Sequence, residues 1–201
     1  MGKIKEIHAK TANPHVNLYE LKAINKNGRD FRYYVASRAK SKETLKLNTH
    51  KNPPDGVVIF SVVRGNTDRV VLIRQYRYAL DDYIYEFPAG LVDEGEDYHT
   101  AAVRELKEET GLKLEPITSA GDFERPFFTT IGMTDESCAT VYGYAQGEAS
   151  GRYLEPNEEI EVVLADRTEV LRILKEENVA IMCAYQLMHF LHDEEPFGFL
   201  G

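Results

Sequence analysis

The sequence predicts an α/β protein, a mixed β-sheet sandwiched between helices with a small antiparallel β-unit at its N-terminal end. Three observations carry that reading. The runs Val57–Val63 and Val70–Tyr76 are β-branched and almost continuously apolar, as strands covered on both faces are. A helical pattern over residues 98–110 falls between strand patterns, and two more, Arg167–Glu177 and Ala180–His192, come last. Strands, helix, strands and helices in that order place helices on both faces of one sheet.

Taken in order, residues 3–37 read as short strands with turns. Asn27-Gly28 between Leu18–Ile24 and Phe31–Val35 marks a hairpin, because both residues tolerate the positive φ of a tight turn. Phe31, Tyr33 and Tyr34 recur along the second of these strands; they could stack a purine, though alternating aromatics in a strand are more often core, and a core is the expectation here. Lys40 to Asp55 is polar and closes on Pro53-Pro54-Asp55-Gly56, which divides an N-terminal β-unit, 1–52, from a larger domain, 53–201. Tyr83–Phe87 is a further strand, ended by Pro88-Ala89-Gly90. On the helix at 98–110, Ala102, Val103, Leu106 and Thr110 fall near one stripe, and Gly111 stands where a left-handed cap belongs. Strands resume at Leu114–Phe123, Ala139–Ala145 and Ile160–Leu164, and Met182, Met188 and Phe190 are expected to pack the last helix.

A chain of 201 residues is long enough for one sizeable core, or a core and a small appendage. Its formal net charge of −9 disfavours long nucleic acids and anionic membranes as partners. A small phosphorylated ligand stays open, because a few arginines or a metal ion can invert the field locally. Cys138 and Cys183 form no CxxC pair, which fits a reducing cytoplasm better than a disulfide scaffold. The charged start Met1-Gly2-Lys3-Ile4-Lys5-Glu6 is unlike a secretory signal, and no apolar run approaches the roughly 20 residues that span a bilayer.

The chemistry is concentrated around the central helix. At about 100° per residue, Glu105, Glu108 and Glu109 share one arc, separate from the apolar stripe. Like charges at these spacings cost a helix a few tenths of a kcal/mol per pair, and a hard divalent cation reverses that sign. The plain alternative is a solvated face balanced by Arg104 and Lys107. The flanking pattern decides between them: a glycine six positions before Glu96, Arg104 eight after it, and a glycine at the helix end.

Here the chain resembles the Nudix hydrolases. It matches their box, G-x5-E-x7-R-E-U-x-E-E-x-G-U with U aliphatic, at Gly90, Glu96, Arg104, Glu105, Leu106, Glu108, Glu109, Gly111 and Leu112. The resemblance implies the Nudix fold and a loop–helix–loop that binds magnesium, or manganese, through Glu105, Glu108, Glu109 and the carbonyl of Ala89. It implies that Gly90, Glu96, Arg104 and Gly111 support the box. Arg74-Gln75-Tyr76-Arg77 and Glu86-Phe87-Pro88-Ala89-Gly90 are similar to segments of the ADP-ribose pyrophosphatases. That likeness implies cleavage of ADP-ribose to AMP and ribose 5-phosphate, and the strands ending Tyr34-Val35-Ala36-Ser37-Arg38 resemble that group's extra β-domain, which implies a homodimer joined through the N-terminal unit. By the same likeness Arg77 binds a phosphate, Arg38 contacts the nucleotide and Glu86 reaches the metal or ribose. The general base falls in the late acidic loop, at Glu158 ahead of Glu159 and Glu155. Ile131 stands where that group has proline, which keeps another nucleotide sugar such as GDP-mannose open as substrate. A ligand-sensing module is the alternative outside enzymes, although such proteins lose box carboxylates and these are all present. His99 has no second histidine near it and reads as structural or solvent-facing.

Overall fold

The apolar run beginning at Val57 becomes a strand whose residues are buried through Val62, the expected result for a segment with no polar face. It is one of eleven strands in this computed structural model, which describes residues 2–200. In chain order these are β1 (Lys3–Ala9), β2 (Asn17–Ile24), β3 (Asp30–Ser37), helix α1 (Lys46–Thr49), β4 (Gly56–Val63), β5 (Asn66–Arg77), β6 (Asp82–Glu86) and β7 (Ala89–Leu91). Then follow α2 (Tyr98–Thr110), β8 (Lys113–Pro116), β9 (Phe127–Phe128), β10 (Ser137–Gln146), β11 (Ile160–Asp166), α3 (Arg167–Glu176) and α4 (Ile181–His192). Among the described residues no helix is long and apolar enough to cross a membrane.

The chain forms two compact units. The first runs to Asp55 and also takes in Pro126–Cys138, a return segment that the sequence reading assigned to the domain 53–201. The backbone explains the grouping: Ala36 N–H donates to Met133 O and Asp135 N–H to Ala36 O, bridging β3 to the returning loop. The second unit holds Gly56–Arg125 and the chain from Ala139 onward.

In the first unit β1, β2 and β3 form an antiparallel sheet in that order. Alternation along β2 sends Tyr19, Leu21 and Ala23 inward, where Tyr19 and Leu21 meet Val35 and Leu45. The β2–β3 hairpin is present, but only Gly28 takes a positive φ, of 78°, and the Asn25 side chain accepts from Asn27 and Arg29 to hold the turn. Phe31, Tyr33 and Tyr34 are not core residues: they are 43%, 39% and 47% exposed. Phe31 and Tyr33 share the face of the buried Val35, so strand periodicity marks a face without saying how far along it the cover extends. Lys46 on α1 is enclosed, with Nζ 2.6 Å from Asp55 Oδ2 and its other contact on Ser137 Oγ, tying the return segment to the unit.

In the second unit the sheet path is β11-β5-β4-β10-β8, with β6 paired to β5 and β7 to β4. Helix α2 packs over it, burying Ala101, Ala102 and Leu106 against Val57, Ile59, Val71, Val141 and Ala145. Val103 is exposed, and Glu109 occupies the buried arc in its place. The strand expected over Leu114–Phe123 stops at Pro116, whose ring cannot donate to a ladder, and a 3-10 turn follows at Gly121–Glu124. On α4, Phe190 packs inside while Met182 and Met188 face outward. Leu106 is fully buried at the centre of this core. Leu106→Ala is therefore expected to cost about 2–5 kcal/mol in a urea unfolding titration; a loss below about 1 kcal/mol would contradict this packing.

Candidate active site

The site is built on the turn from β7 into α2. Asp97 caps the helix, its Oδ1 accepting from His99 N at 3.0 Å and Thr100 N at 3.4 Å. Gly111 ends it at φ 73°, donating to Lys107 O at 2.9 Å. A side chain at Gly111 would also meet Ser150 O at 2.9 Å, so both φ and space call for glycine there.

Arg104 is the hub of the loop. Its guanidinium donates to Glu96 Oε2 at 3.0 Å, Glu96 Oε1 at 3.2 Å, Glu105 Oε1 at 2.7 Å, Glu108 Oε2 at 3.0 Å and Leu91 O at 3.1 Å. Glu96 in turn accepts from Asp93 N at 3.1 Å, so one arginine draws residues 91–96 down onto the helix. The bonds to Glu96 raise Arg104 further above its ordinary range, and Arg104 lowers Glu96.

Glu105 and Glu109 face the opposite problem. Burial raises the carboxyl of Glu105 despite Arg104, with the charges of Glu108 and Glu158 adding to the rise. Glu109 is only 3% exposed, and burial raises it well above the usual carboxylate range. The Ala89 N–H, donating to Glu109 Oε2 at 3.0 Å, opposes that rise, while the charges of Glu105 and Glu158 reinforce it and Arg77 offsets part. Gly90 makes room for this arrangement. A Cβ there would lie 1.9 Å from Glu105 Cδ, so the carboxylate occupies the space of the missing side chain.

These residues fit a divalent cation by donor chemistry: two desolvated carboxylates that repel each other, a third, Glu108, beside them, and Glu158 within electrostatic reach. Among the described residues no three acidic, histidine or cysteine side chains already converge as a ligand set, because Arg104 holds Glu105 and Glu108.

The sheet supplies the remaining groups. Alternation along β5 puts Arg77 on the face of Ile73, opposite Glu86 of β6, and the guanidinium forks onto both Glu86 oxygens. Glu86 is thus first a partner of Arg77 rather than a free ligand. In the late acidic loop, Glu158 Oε2 accepts from Glu155 N at 2.9 Å and Glu158 N donates to Glu155 O at 3.0 Å, closing a turn. Glu159 points elsewhere, accepting from the Tyr83 hydroxyl, and Glu155 is exposed. Arg38 lies in the first unit, where Nε donates to Glu136 Oε1 at 2.9 Å.

Two features escaped the sequence reading. His99 Nε2 lies 2.9 Å from the buried Glu124, a carboxylate 25 residues on that no helical or strand spacing links to it. Tyr83 carried no motif, and its part emerges only from the register of β5 and β6.

Residues 52–184 match the NUDIX domain family. The chain is 35% identical over 111 residues to the ADP-ribose pyrophosphatase of Saccharomyces cerevisiae, covering 53% of this chain and 48% of that protein. It is 42% identical over 76 residues to the ADP-sugar pyrophosphatase of Mus musculus, covering 36% and 35%. It therefore aligns with half or less of the length of these relatives. A crystal structure of an ADP compounds hydrolase superposes with a TM-score of 0.68 at 18% identity, over 95% of this chain and 92% of that one, a likeness of fold.

Proposed function

The chain belongs to the NUDIX domain family, and from that premise we propose that it hydrolyses the pyrophosphate link of ADP-ribose, giving AMP and ribose 5-phosphate. The observation that carries the reading is the buried Glu109 beside the half-buried Glu105, whose carboxylate fills the space at Gly90, with Glu158 in electrostatic reach of both. A buried carboxylate beside a second, partly desolvated one costs stability, and such costs are retained where chemistry uses them. Likeness to an ADP-ribose and an ADP-sugar pyrophosphatase supports the adenine nucleotide.

Glu105, Glu108 and Glu109, with the Ala89 carbonyl, would hold the divalent cation, magnesium first and manganese as an alternative. Bound there, it supplies Lewis-acid stabilisation of the negative charge on the phosphoryl oxygens. The chain's own groups do the rest. Arg77 offers its fork to a phosphate, which competes with Glu86 for the same N–H groups, so Glu86 aims the guanidinium before substrate arrives. Glu158 accepts the proton of the attacking water, the oxygen of which bonds to one phosphorus in line as the bond to the bridging oxygen breaks. Arg104 keeps Glu105 and Glu108 in place and Glu96 keeps Arg104. Arg38 is assigned a contact with the nucleotide.

We assign the N-terminal unit, 1–52, to a homodimer contact. A three-stranded sheet is thin for independent stability, and this one exposes Phe31, Tyr33 and Tyr34. Free cysteines at 138 and 183 fit the cytoplasm, and the acidic charge disfavours nucleic acid and membrane partners. Ile131 is the observation that favours a second reading, a different nucleotide sugar such as GDP-mannose. A sensing module would leave the complete carboxylate set without use.

The test is product analysis with magnesium against ADP-ribose, GDP-mannose, UDP-glucose, NADH and diadenosine polyphosphates. The expected result is AMP release from ADP-ribose ahead of every other substrate, abolished by EDTA. GMP from GDP-mannose as the dominant product would select the second reading, and no turnover of any member would overturn the ADP-ribose assignment and bring the sensing module or another substrate forward.

A further inference from the structure

The turn bearing Glu158 is anchored from the far side of the sheet. Along β6, Ile84 and Glu86 face the side of Arg77, whereas Tyr83 and Tyr85 face the other, opposite Tyr76 and Arg74. Tyr83 is thus turned away from the carboxylates of the box. Its hydroxyl instead donates to the Glu159 side chain, and the main chain of the same residue is held by Tyr76 N donating to Glu159 O at 3.0 Å. Arg74 completes the set. Its guanidinium lies 4.0 Å from the centre of the Tyr83 ring, and Nη1 donates to Glu161 Oε2 at 3.1 Å. Tyr76 packs edge-on against Tyr83 with centroids 5.6 Å apart.

We propose that Tyr83, seated by Arg74, is a positioning residue that fixes Glu158 by holding its neighbour Glu159. The proposal rests on the assignment of Glu158 as general base. Glu159 is exposed, so without its side-chain anchor it gains rotamer freedom. Its main chain continues into the turn in which Glu158 bonds Glu155, and freedom at 159 passes directly to 158. The hydrogen bond also raises Tyr83 above its ordinary range.

The experiment is a kinetic cycle on the full-length protein with ADP-ribose and magnesium, using Tyr83→Phe, Glu159→Ala, Glu159→Gln, Glu158→Gln and the pair Tyr83→Phe/Glu158→Gln. Tyr83→Phe keeps the ring and loses one hydroxyl. It is expected to lower kcat about 10-fold with KM within about 2-fold, because a displaced base loses proton transfer before it loses binding. Glu159→Ala should match it, and Glu159→Gln, whose amide oxygen still accepts from the tyrosine, should restore most of the activity. In the Glu158→Gln background Tyr83→Phe should have no further effect, a result that general loosening of the fold does not produce. If Glu158→Gln lowers kcat but Tyr83→Phe is silent, or multiplies with it, the positioning role is wrong and the base assignment stands. If Glu158→Gln turns over normally, the base assignment fails and this inference fails with it.

Discussion

Glu109→Gln is expected to lower kcat at least about 100-fold, roughly 2.7 kcal/mol of transition-state stabilisation, while the protein stays folded. The two halves of that result have separate causes. The amide has the volume of the carboxylate and can still accept from Ala89 N, so the buried site keeps its packing and its one hydrogen bond. It carries no charge, so the proposed cation loses a ligand. Metal-free stability should respond to pH in a defined direction. The folded-state carboxyl of Glu109 is raised above its unfolded value, so the native state holds a proton that the unfolded state releases. Stability from that group is present below the ordinary carboxylate range and falls as pH rises from there toward the raised folded value. Glu109→Gln should remove this component, giving a melting temperature in EDTA at neutral pH equal to or above that of the parent. Turnover near the parent level, or a variant that melts well below it, would take Glu109 out of the proposed site.

The same residue shows where the sequence was legible and where it was not. Helical spacing alone put Glu105, Glu108 and Glu109 on one arc, and the box pattern attached a chemistry to them. Spacing could not say how deep each sits. The expected core stripe included Val103, and the structure exposes Val103 and buries Glu109, because the sheet approaches the helix from the side of Ala101, Ala102 and Leu106. A hydrophobic period identifies a buried face only when the buried residues are apolar, and a carboxylate inside the core breaks that rule. The same ambiguity misplaced Phe31, Tyr33 and Tyr34. Phe31 and Tyr33 share the face of the buried Val35 yet stay exposed, so the cluster of Tyr19, Leu21, Val35 and Leu45 covers only one end of that face, while Tyr34 lies on the other face. The strand read over Leu114–Phe123 failed for a local reason that was in view, Pro116 followed by Thr118, Ser119 and Gly121. The pairing of His99 with Glu124 and the anchoring of Glu159 by Tyr83 are products of tertiary register, which no window of sequence contains.

Gly90→Ala is expected to lower kcat by about 100-fold or more, a loss on the scale of a 1 Å misplacement of a reacting group. The smallest possible side chain would sit 1.9 Å from Glu105 Cδ and 2.0 Å from Oε1, distances no real contact tolerates. What yields decides the outcome. The obstruction is the end of a flexible side chain rather than backbone, so the fold survives at an overpacking cost of about 1–3 kcal/mol while Glu105 moves. Glu105 cannot move alone, because Arg104 joins it to Glu108, Glu96 and Leu91 O, and the whole cluster must rearrange. A displacement confined to Glu105 and its partners predicts strong non-additivity: Glu105→Ala empties the space the new methyl needs, so adding Gly90→Ala to it should cost little more activity. Full multiplication of the two effects in steady-state kinetics would show that the glycine acts by some route other than making room for this carboxylate.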